Sequence, residues 1–559
     1  MNLKQSNKPH LFLTLCLALF YVLNSANIPV YIDDPIYDFL QRMENRGIIS
    51  GYSGLELPLN RDKIASFIRD IRPNIENLNS IEKNLYIKFR SQYYLELFSQ
   101  KEAQLPQTRI KFINTGSLPK TLSKVFSRNT ALREQHLIKY ETPHEFLWAD
   151  VDMAAQNQSK KYLNRQILSN QILLRGGFRE NLSGFLQFDQ YLKLNADQYD
   201  APLQEEKGRF INEDVYFSNS YAGLGYTGQY FEAGIYQQPF LWGASRENNL
   251  TFSNNGPPFP YFRLSAHIGW LKYTLLHGGL VNDSTGHKFK NVSPDVRDMP
   301  KNVAAQRFEV SLFDGHTYLS FNQMVIYSNR TLEWAYLVPF NFYFAAEHYL
   351  EDRDNTLMSF DIKSKIFKNT EAYGTIFIDE LKWSELGNQW WGNKHAFQIG
   401  LRNHSYLLQY PTNLQIEYTV IRPWTYTHKV FNNNYTNENY GMGFPYGPNS
   451  QLLFFDIDTY FTYRLKAFLK YKYLRHGHDT KQTIYGGNAT SNYTDRNPKF
   501  DYSTEWLMGD IQTTEEFVMG IKYEYCNDCY LFGSLRYMLE NDGSEKDYLF
   551  TNIGLSINL

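Results

Sequence analysis

The chain has 559 residues, with 56 Lys and Arg against 58 Asp and Glu, for a formal net charge of -2. This balance excludes the basic surface that a nucleic-acid partner requires, and the length exceeds that of one ordinary soluble domain. Aromatic residues make up 16% of the chain, 43 Tyr and 40 Phe among them, while the mean hydropathy is -0.49; amphipathic rings in a polar chain predict alternating surfaces rather than a thick apolar core.

The first 26 residues read as an export signal. Lys4 and Lys8 precede the apolar run LFLTLCLALFYVL, and Asn24, Ser25 and Ala26 offer a peptidase site, so the mature chain is predicted to begin near Asn27. Leu15 is too large to precede a lipidated Cys16. No later segment has the ~18 continuous apolar residues of a membrane helix, so any crossing must be made by strands.

A helical domain is predicted over residues 27–110, placed as an adaptor before the main body. In DDPIYDFLQRMENRGIISGY, Asp34 can cap a helix with Pro35 in its first turn; Ile36, Phe39, Leu40 and Met43 follow at helical spacing, and Gly47 ends it. RDKIASFIRDI, with Asn60 as a cap, and SIEKNLYIKFRSQYYLELF predict two more helices. Residues 111–144 read as a linker or the start of the next domain.

From about residue 145 the period becomes two. Leu549, Thr551, Ile553, Leu555, Ile557 and Leu559 share one face; Asn552, Gly554, Ser556 and Asn558 share the other. Phe517, Met519 and Ile521, then Leu531 and Leu535, repeat the rule, and the charged positions Asp456, Asp458, Lys470, Lys472 and Arg536 fall on the polar face. A soluble sandwich would turn its apolar face inward, and periodicity alone does not separate the two. Long strands, tyrosines at strand ends, and tight turns such as Asn527-Asp528 alternating with long polar connections favour a membrane barrel. At ~23 residues per strand and connection, residues 145–559 predict a closed antiparallel transmembrane β-barrel of about eighteen strands, mainly β, preceded by a small helical domain.

Cys526 and Cys529 flank a two-residue turn, where opposed strand residues lie within disulfide reach in an oxidising periplasm. A zinc site lacks ligands, and His476 and His478 read as a solvated loop pair. No nucleophile elbow, phosphate loop or H-E-x-x-H pattern occurs, and no cofactor or metal is predicted; a paired-carboxylate site is a spatial quantity that sequence does not decide.

Two segments stand apart: WGASRENNLTFSNNGPPFPYF (residues 242–262) and RPWTYTHKVFNNNYTNENYGMGFPYGPN (residues 422–449). Flat rings that stack on sugar C–H faces, with amide and Arg groups for hydroxyls, are the chemistry of a glycan site. The same residues equally serve to fold long loops into a barrel mouth. These segments, together with AQRFEVSLFDGHTYLSFNQMVIYSNRTLEWAYLVPFNFYFAAEHYLEDRDN and the helical leader, resemble the signature blocks of the Wzi family of capsule assembly proteins. The resemblance implies a non-enzymatic outer-membrane lectin of a Gram-negative-type bacterium, embedded in outer-membrane lipid, that holds capsular or exopolysaccharide on the cell, with its helical domain facing the periplasm and open to a protein partner there. By the same resemblance, polysaccharide-binding residues are expected among Trp242, Arg246, Asn248, Asn254 and Asn255 in the first segment and Trp424, Tyr426, His428, Tyr440, Tyr446 and Asn449 in the second. The alternative is a porin-like channel for small solutes or sugars, its wet lumen lined by Asp456, Lys470 and Arg536.

Overall fold

Strand alternation dictates a wall, and the wall closes. A computed structural model describes residues 28–97, 128, 136–142, 145–160, 163–178, 181–194, 209–212, 216–282 and 300–558. The predicted leader, the end of the helical domain, most of the linker and Leu559 lie outside the described residues. Eighteen strands, numbered in chain order, form the barrel: β1 (Glu145–Lys160), β2 (Leu163–Phe178), β3 (Leu182–Leu194), β4 (Tyr216–Thr227), β5 (Phe231–Gln237), β6 (Pro260–Ile268), β7 (Leu271–Leu280), β8 (Lys301–Leu312), β9 (Thr317–Ser328), β10 (Asn355–Phe367), β11 (Thr370–Glu380), β12 (Lys394–Leu407), β13 (Tyr410–Ile421), β14 (Ser450–Thr462), β15 (Leu465–His478), β16 (Asp510–Cys526), β17 (Cys529–Asn541) and β18 (Glu545–Asn558). Each strand pairs antiparallel with its sequence neighbours, and β18 returns to β1 with Phe550 opposite Lys160 and Asn558 opposite Asp152.

Apolar teeth point outward, as the alternation predicts. Leu453, Leu469, Phe517, Met519, Ile521, Leu531, Ile553 and Leu555 are exposed on the outer wall, and Leu555 and Ile557 share a shallow outer groove with Met153, Leu168 and Leu192. Asp456 and Lys470 are register partners on the opposite face and line a cavity inside. One end of the barrel carries only short turns, where Tyr230, Trp270, Phe313, Phe367 and Tyr525 are exposed as an interfacial girdle. The girdle mixes ring types, where the sequence emphasised tyrosine. With no open edge and an oily exterior, this is an outer-membrane β-barrel, and its short-turn end, where β1 begins and β18 ends, is the periplasmic end.

The helices close that end. Helix α1 (Ile36–Asn45) starts where the Asp34 carboxylate accepts from the Ile36 N–H at 2.8 Å, and stops at Gly47, whose φ of 70° lets Gly47 and Ile48 donate back to Glu44 and Met43. Helix α2 (Arg61–Ile71) follows the sequence, although Asn60 makes no side-chain cap. The predicted third helix divides into α3 (Ser80–Gln92) and α4 (Tyr94–Leu97), and α3 opens with a reciprocal capping box between Asn79 and Glu82. Their apolar stripes bury one another, Ile36, Leu40, Met43, Ile64, Ile68 and Ile71 being wholly enclosed.

Polar residues then fix this bundle to the barrel, so it forms a plug. The Arg42 guanidinium donates to the Thr412 and Ser405 carbonyls at 2.9 and 2.8 Å and pairs with Glu82 at 2.7 Å. Burial works against the Glu82 charge, but Arg42, Tyr406 and Arg46 outweigh it and lower the carboxyl below its ordinary value. Lys365 meets Glu44 at 2.8 Å, Lys88 meets Glu524 at 2.6 Å, and Glu56 is held between Arg263 and Lys272 at 2.7 and 2.8 Å.

Candidate functional site

Both ring-and-amide segments are connections at the long-loop end, and both fold back into the lumen. Residues 238–259, between β5 and β6, descend until Leu241 and Trp242 pair as a short strand with Leu57 and Glu56 of the plug. Residues 422–449, between β13 and β14, pack against them. The Tyr426 hydroxyl donates to the Leu250 carbonyl and the Tyr435 hydroxyl to the Thr251 carbonyl, each at 2.8 Å, while the two rings stack with centroids 5.6 Å apart. Phe240, Trp242, Phe252, Tyr426, Tyr435 and Phe444 join inward strand residues such as Leu276, Phe377 and Ile421 in one apolar core inside the barrel.

This core absorbs several residues expected to bind sugar. Trp242 is 1% exposed, wedged edge-on against Phe252. Trp424 is 3% exposed and covered by Gly486, where an added Cβ would lie 2.4 Å from the indole. Trp424 and Tyr426 both hold positive φ, 68° and 75°, a cost of ~1–3 kcal/mol each that surrounding bonds must offset. The Tyr426 N–H supplies one such bond, to an Asp379 carboxylate oxygen at 2.6 Å. His428 is buried; its N–H donates to the Asn434 side-chain oxygen at 2.7 Å, and its Nδ1 accepts from the Val430 N–H. Asn449 is buried at φ 57°, donating to the Gly477 and Met508 carbonyls at 2.7 and 2.9 Å and accepting from the Met508 N–H at 2.9 Å. Asn248 is enclosed too, donating to Glu417 at 2.9 Å, although it borders the cavity described next. These side chains hold loops together and, as placed, leave no ring face open to a ligand.

The remaining residues meet at a cavity of about 710 Å³ between plug, loops and wall. Arg246, Asn254, Asn255 and Tyr446 line it from the two segments; Arg402, His404, Asn413 and Gln415 come from β12 and β13, Asp456 and Asp458 from β14, and Lys466, Phe468, Lys470 and Lys472 from successive inward positions of β15. Asp38 and Gln41 of α1 form the plug side. Ion pairs cross this space: Arg246 to Asp38 at 2.5 Å, Lys466 to Asp38 and Asp458 at 3.3 and 3.2 Å, and Lys470 to Glu247. Burial opposes the Asp38 charge, yet Lys466 and Arg246 outweigh it and hold the carboxyl below its ordinary value. The result is a polar chamber whose charges are largely matched, offering donors and acceptors for hydroxyls with a ring, Tyr446, at one side. Tyr440 lies elsewhere, 39% exposed on the loop surface against Gly256. Sequence reasoning missed Asp38, Gln41, His404 and Asn413, because the plug and the wall reach this chamber only through the closed fold.

Cys526 and Cys529 are register partners at the last pair of β16 and β17, both buried and present as free thiols. His476 and His478 stack with centroids 4.4 Å apart and bond to Gly487 and Gln512.

No family model matches this sequence, and no curated protein matches it. Among solved structures, Wzi from Escherichia coli, described as an outer membrane protein involved in group 1 capsule assembly and a carbohydrate binding β-barrel, superposes with a TM-score of 0.57 at 14% identity, covering 95% of this chain and 99% of its own. The chain has the fold of Wzi. The Wzi-like architecture extends over helices and barrel alike, as the coverage requires. OccD1 (OprD), TM-score 0.42 at 12% identity, and a BenF-like porin from Pseudomonas fluorescens Pf-5, TM-score 0.43 at 8% identity, each cover 74% of this chain and 95% and 98% of their own.

Proposed function

We propose that this protein is a non-enzymatic outer-membrane lectin that holds capsular or related exopolysaccharide at the cell surface. The observation that carries this reading is the chamber beneath the two inward-folded loops, which brings Arg246, Asn254, Asn255 and Tyr446 together with the amides and paired charges of β12 to β15. Its volume lies within the ~300–1,000 Å³ usual for small-ligand sites. Each hydroxyl contact exchanges one water bond for another, so a single site binds weakly, and retention comes from many copies engaging one long polymer. The Wzi-like fold supports the reading, because the Wzi structure is described as carbohydrate binding.

Its direct test is polysaccharide binding by purified protein in vesicles. Tyr446→Ala combined with Asn254→Ala removes the ring and one amide from the chamber; binding is expected to fall about tenfold, ~1.4 kcal/mol, with the polymer length unchanged on incubation. Unaltered binding by the double variant contradicts the assignment of the chamber, and shortened polymer contradicts a lectin. A second reading draws on the inward row Lys466, Lys470 and Lys472, which would suit a path for small solutes; steady ion conductance by the intact protein would favour it.

A further inference from the structure

One stretch of the outer wall breaks the exposure rule. On β7 to β9 the alternation turns Thr274, Arg307 and Asn322 into the lumen, where Thr274 reaches Glu56 and Arg307 reaches Asn322 and Asp361. The intervening positions therefore face outward, yet Ala304, Gln306, Val325 and Tyr327 are 0% exposed and Gln323 is 2% exposed. Elsewhere on the wall such positions stand open, Ile399 and Ile553 among them.

The cover is the connection between β9 and β10, residues 329–354, which folds down the outside of the barrel instead of over its mouth. Gln306 and Gln323 are cross-strand partners, and an amide pair on a lipid-facing wall is costly unless fully bonded. Here both are. The Gln306 side-chain oxygen accepts from the Phe340 N–H and the Tyr273 hydroxyl at 3.1 and 2.9 Å, and its NH2 donates to the Val338 and Asn341 carbonyls at 3.3 Å. The Gln323 NH2 donates to the Asn341 carbonyl at 2.8 Å and its oxygen accepts from the Tyr343 N–H at 2.9 Å. Irregular backbone is thus satisfied by two wall residues. A short helix, α5 (Tyr343–Tyr349), then climbs back, and its Tyr343 hydroxyl ties to the Tyr336 carbonyl.

Depth follows from register. Phe340 stacks on Tyr273, centroids 4.4 Å apart, and Tyr273 pairs with Phe308. Phe308 lies seven residues below the loop end of β8. At ~3.3 Å per residue and a strand tilt of ~40°, that is about 18 Å below the strand's outer end, against a hydrocarbon band about 25 Å tall. Composition agrees with that depth. From residue 334 to residue 346 no charged side chain occurs, whereas Arg330, Glu333, Asp352, Arg353 and Asp354 crowd the rim, Arg330 bridging to Asp354 at 2.5 Å. The face turned away from the barrel is aromatic: Trp334 is 73% exposed, Phe340 66%, Phe342 45% and Phe344 45%. Phe340 is also continuous with the bare belt, through Phe308 and Phe321 to the exposed Phe360.

We propose that residues 334–346 form a flap embedded in the membrane, clamped to the wall by Gln306 and Gln323, with Phe340, Phe342 and Phe344 in contact with acyl chains. Here the barrel meets lipid through a loop rather than through strands. The continuity of the flap with the apolar belt selects lipid as the occupant over a second copy of the chain.

The test places a nitroxide at Phe342→Cys or Phe344→Cys, in a Cys526→Ser/Cys529→Ser background, in phosphatidylcholine vesicles. Collision with oxygen is expected to exceed collision with a water-soluble nickel complex by the same factor as for a label at Ile399→Cys on the bare wall. A nickel preference like that of a label at Glu351→Cys overturns the proposal, as does protection from both reagents with broadening that grows with protein density, the mark of a second copy. Heat-modifiable migration in gels confirms that each labelled barrel has folded. In that same background, Gln306→Leu/Gln323→Leu is expected to raise the mobility of the label while migration is kept; an unchanged spectrum contradicts the clamp.

Discussion

At the scale of single residues, the ring-and-amide segments show how one composition serves two purposes. Asn449 holds a left-handed backbone that Asn tolerates and satisfies three backbone groups of Gly477 and Met508. Asn449→Ala leaves those groups buried without partners, at about 1–3 kcal/mol each, so the temperature at which the barrel loses heat-modifiable migration is expected to fall; no change would mean that the loop core contributes little. His428 gives a pH dependence. Burial, then the Lys394 and Lys429 cations, push its imidazole down to about 3, so the folded loop holds it neutral where the unfolded chain binds a proton. Its contribution is present above the ordinary histidine pKa and is lost as pH falls below it. Between pH 7 and pH 5 the wild type is expected to lose more stability to urea than His428→Gln does; equal losses contradict the buried neutral ring. None of this burial is legible in the sequence, because rings in loops carry no period and read alike whether they turn inward or outward. Arg246, Asn254, Asn255 and Tyr446 come from the same two segments, and only the closed fold separates them from Trp242 and Tyr426.

At the scale of elements, the strands were legible because their period is two and one face must meet hydrocarbon: Leu549, Ile553 and Leu555 stand outside as the alternation requires. The cap at Asp34 and the stop at Gly47 were legible for local reasons as well, since backbone geometry at a helix end depends on a few adjacent residues. What the helices pack against was not. Arg42 reads as a surface residue of an amphipathic helix, yet it donates to the Thr412 and Ser405 carbonyls and thereby sets the plug inside the periplasmic mouth. A plug held by such pairs, together with a loop core above it, predicts little steady ion conductance for the intact protein in planar bilayers and a clear rise when residues 28–97 are deleted. Equal conductance in both would show that the plug does not obstruct the lumen. Gln306 and Gln323 teach the same lesson on the outer wall, where two polar residues on an apolar face make sense only with residues 338–343 laid over them.

At the scale of the whole molecule, three surfaces face three surroundings. Lipid meets the apolar wall, the periplasm meets the plug, and the long-loop end meets the cell exterior with a matched, polar chamber beneath it. The barrel class and its size followed from strand period and length; the filling of the lumen did not, because it depends on contacts between segments hundreds of residues apart, such as Trp242 with the plug. In the proposed function, a barrel so filled holds a polymer rather than passing a solute. The most direct measurement is the division of polysaccharide between cells and medium in a strain lacking this gene. We expect synthesis to continue while polymer moves from the cells to the medium, with restoration by the wild-type gene and only partial restoration by Tyr446→Ala/Asn254→Ala. Equal cell-bound polymer in the deletion strain and its parent would contradict the account.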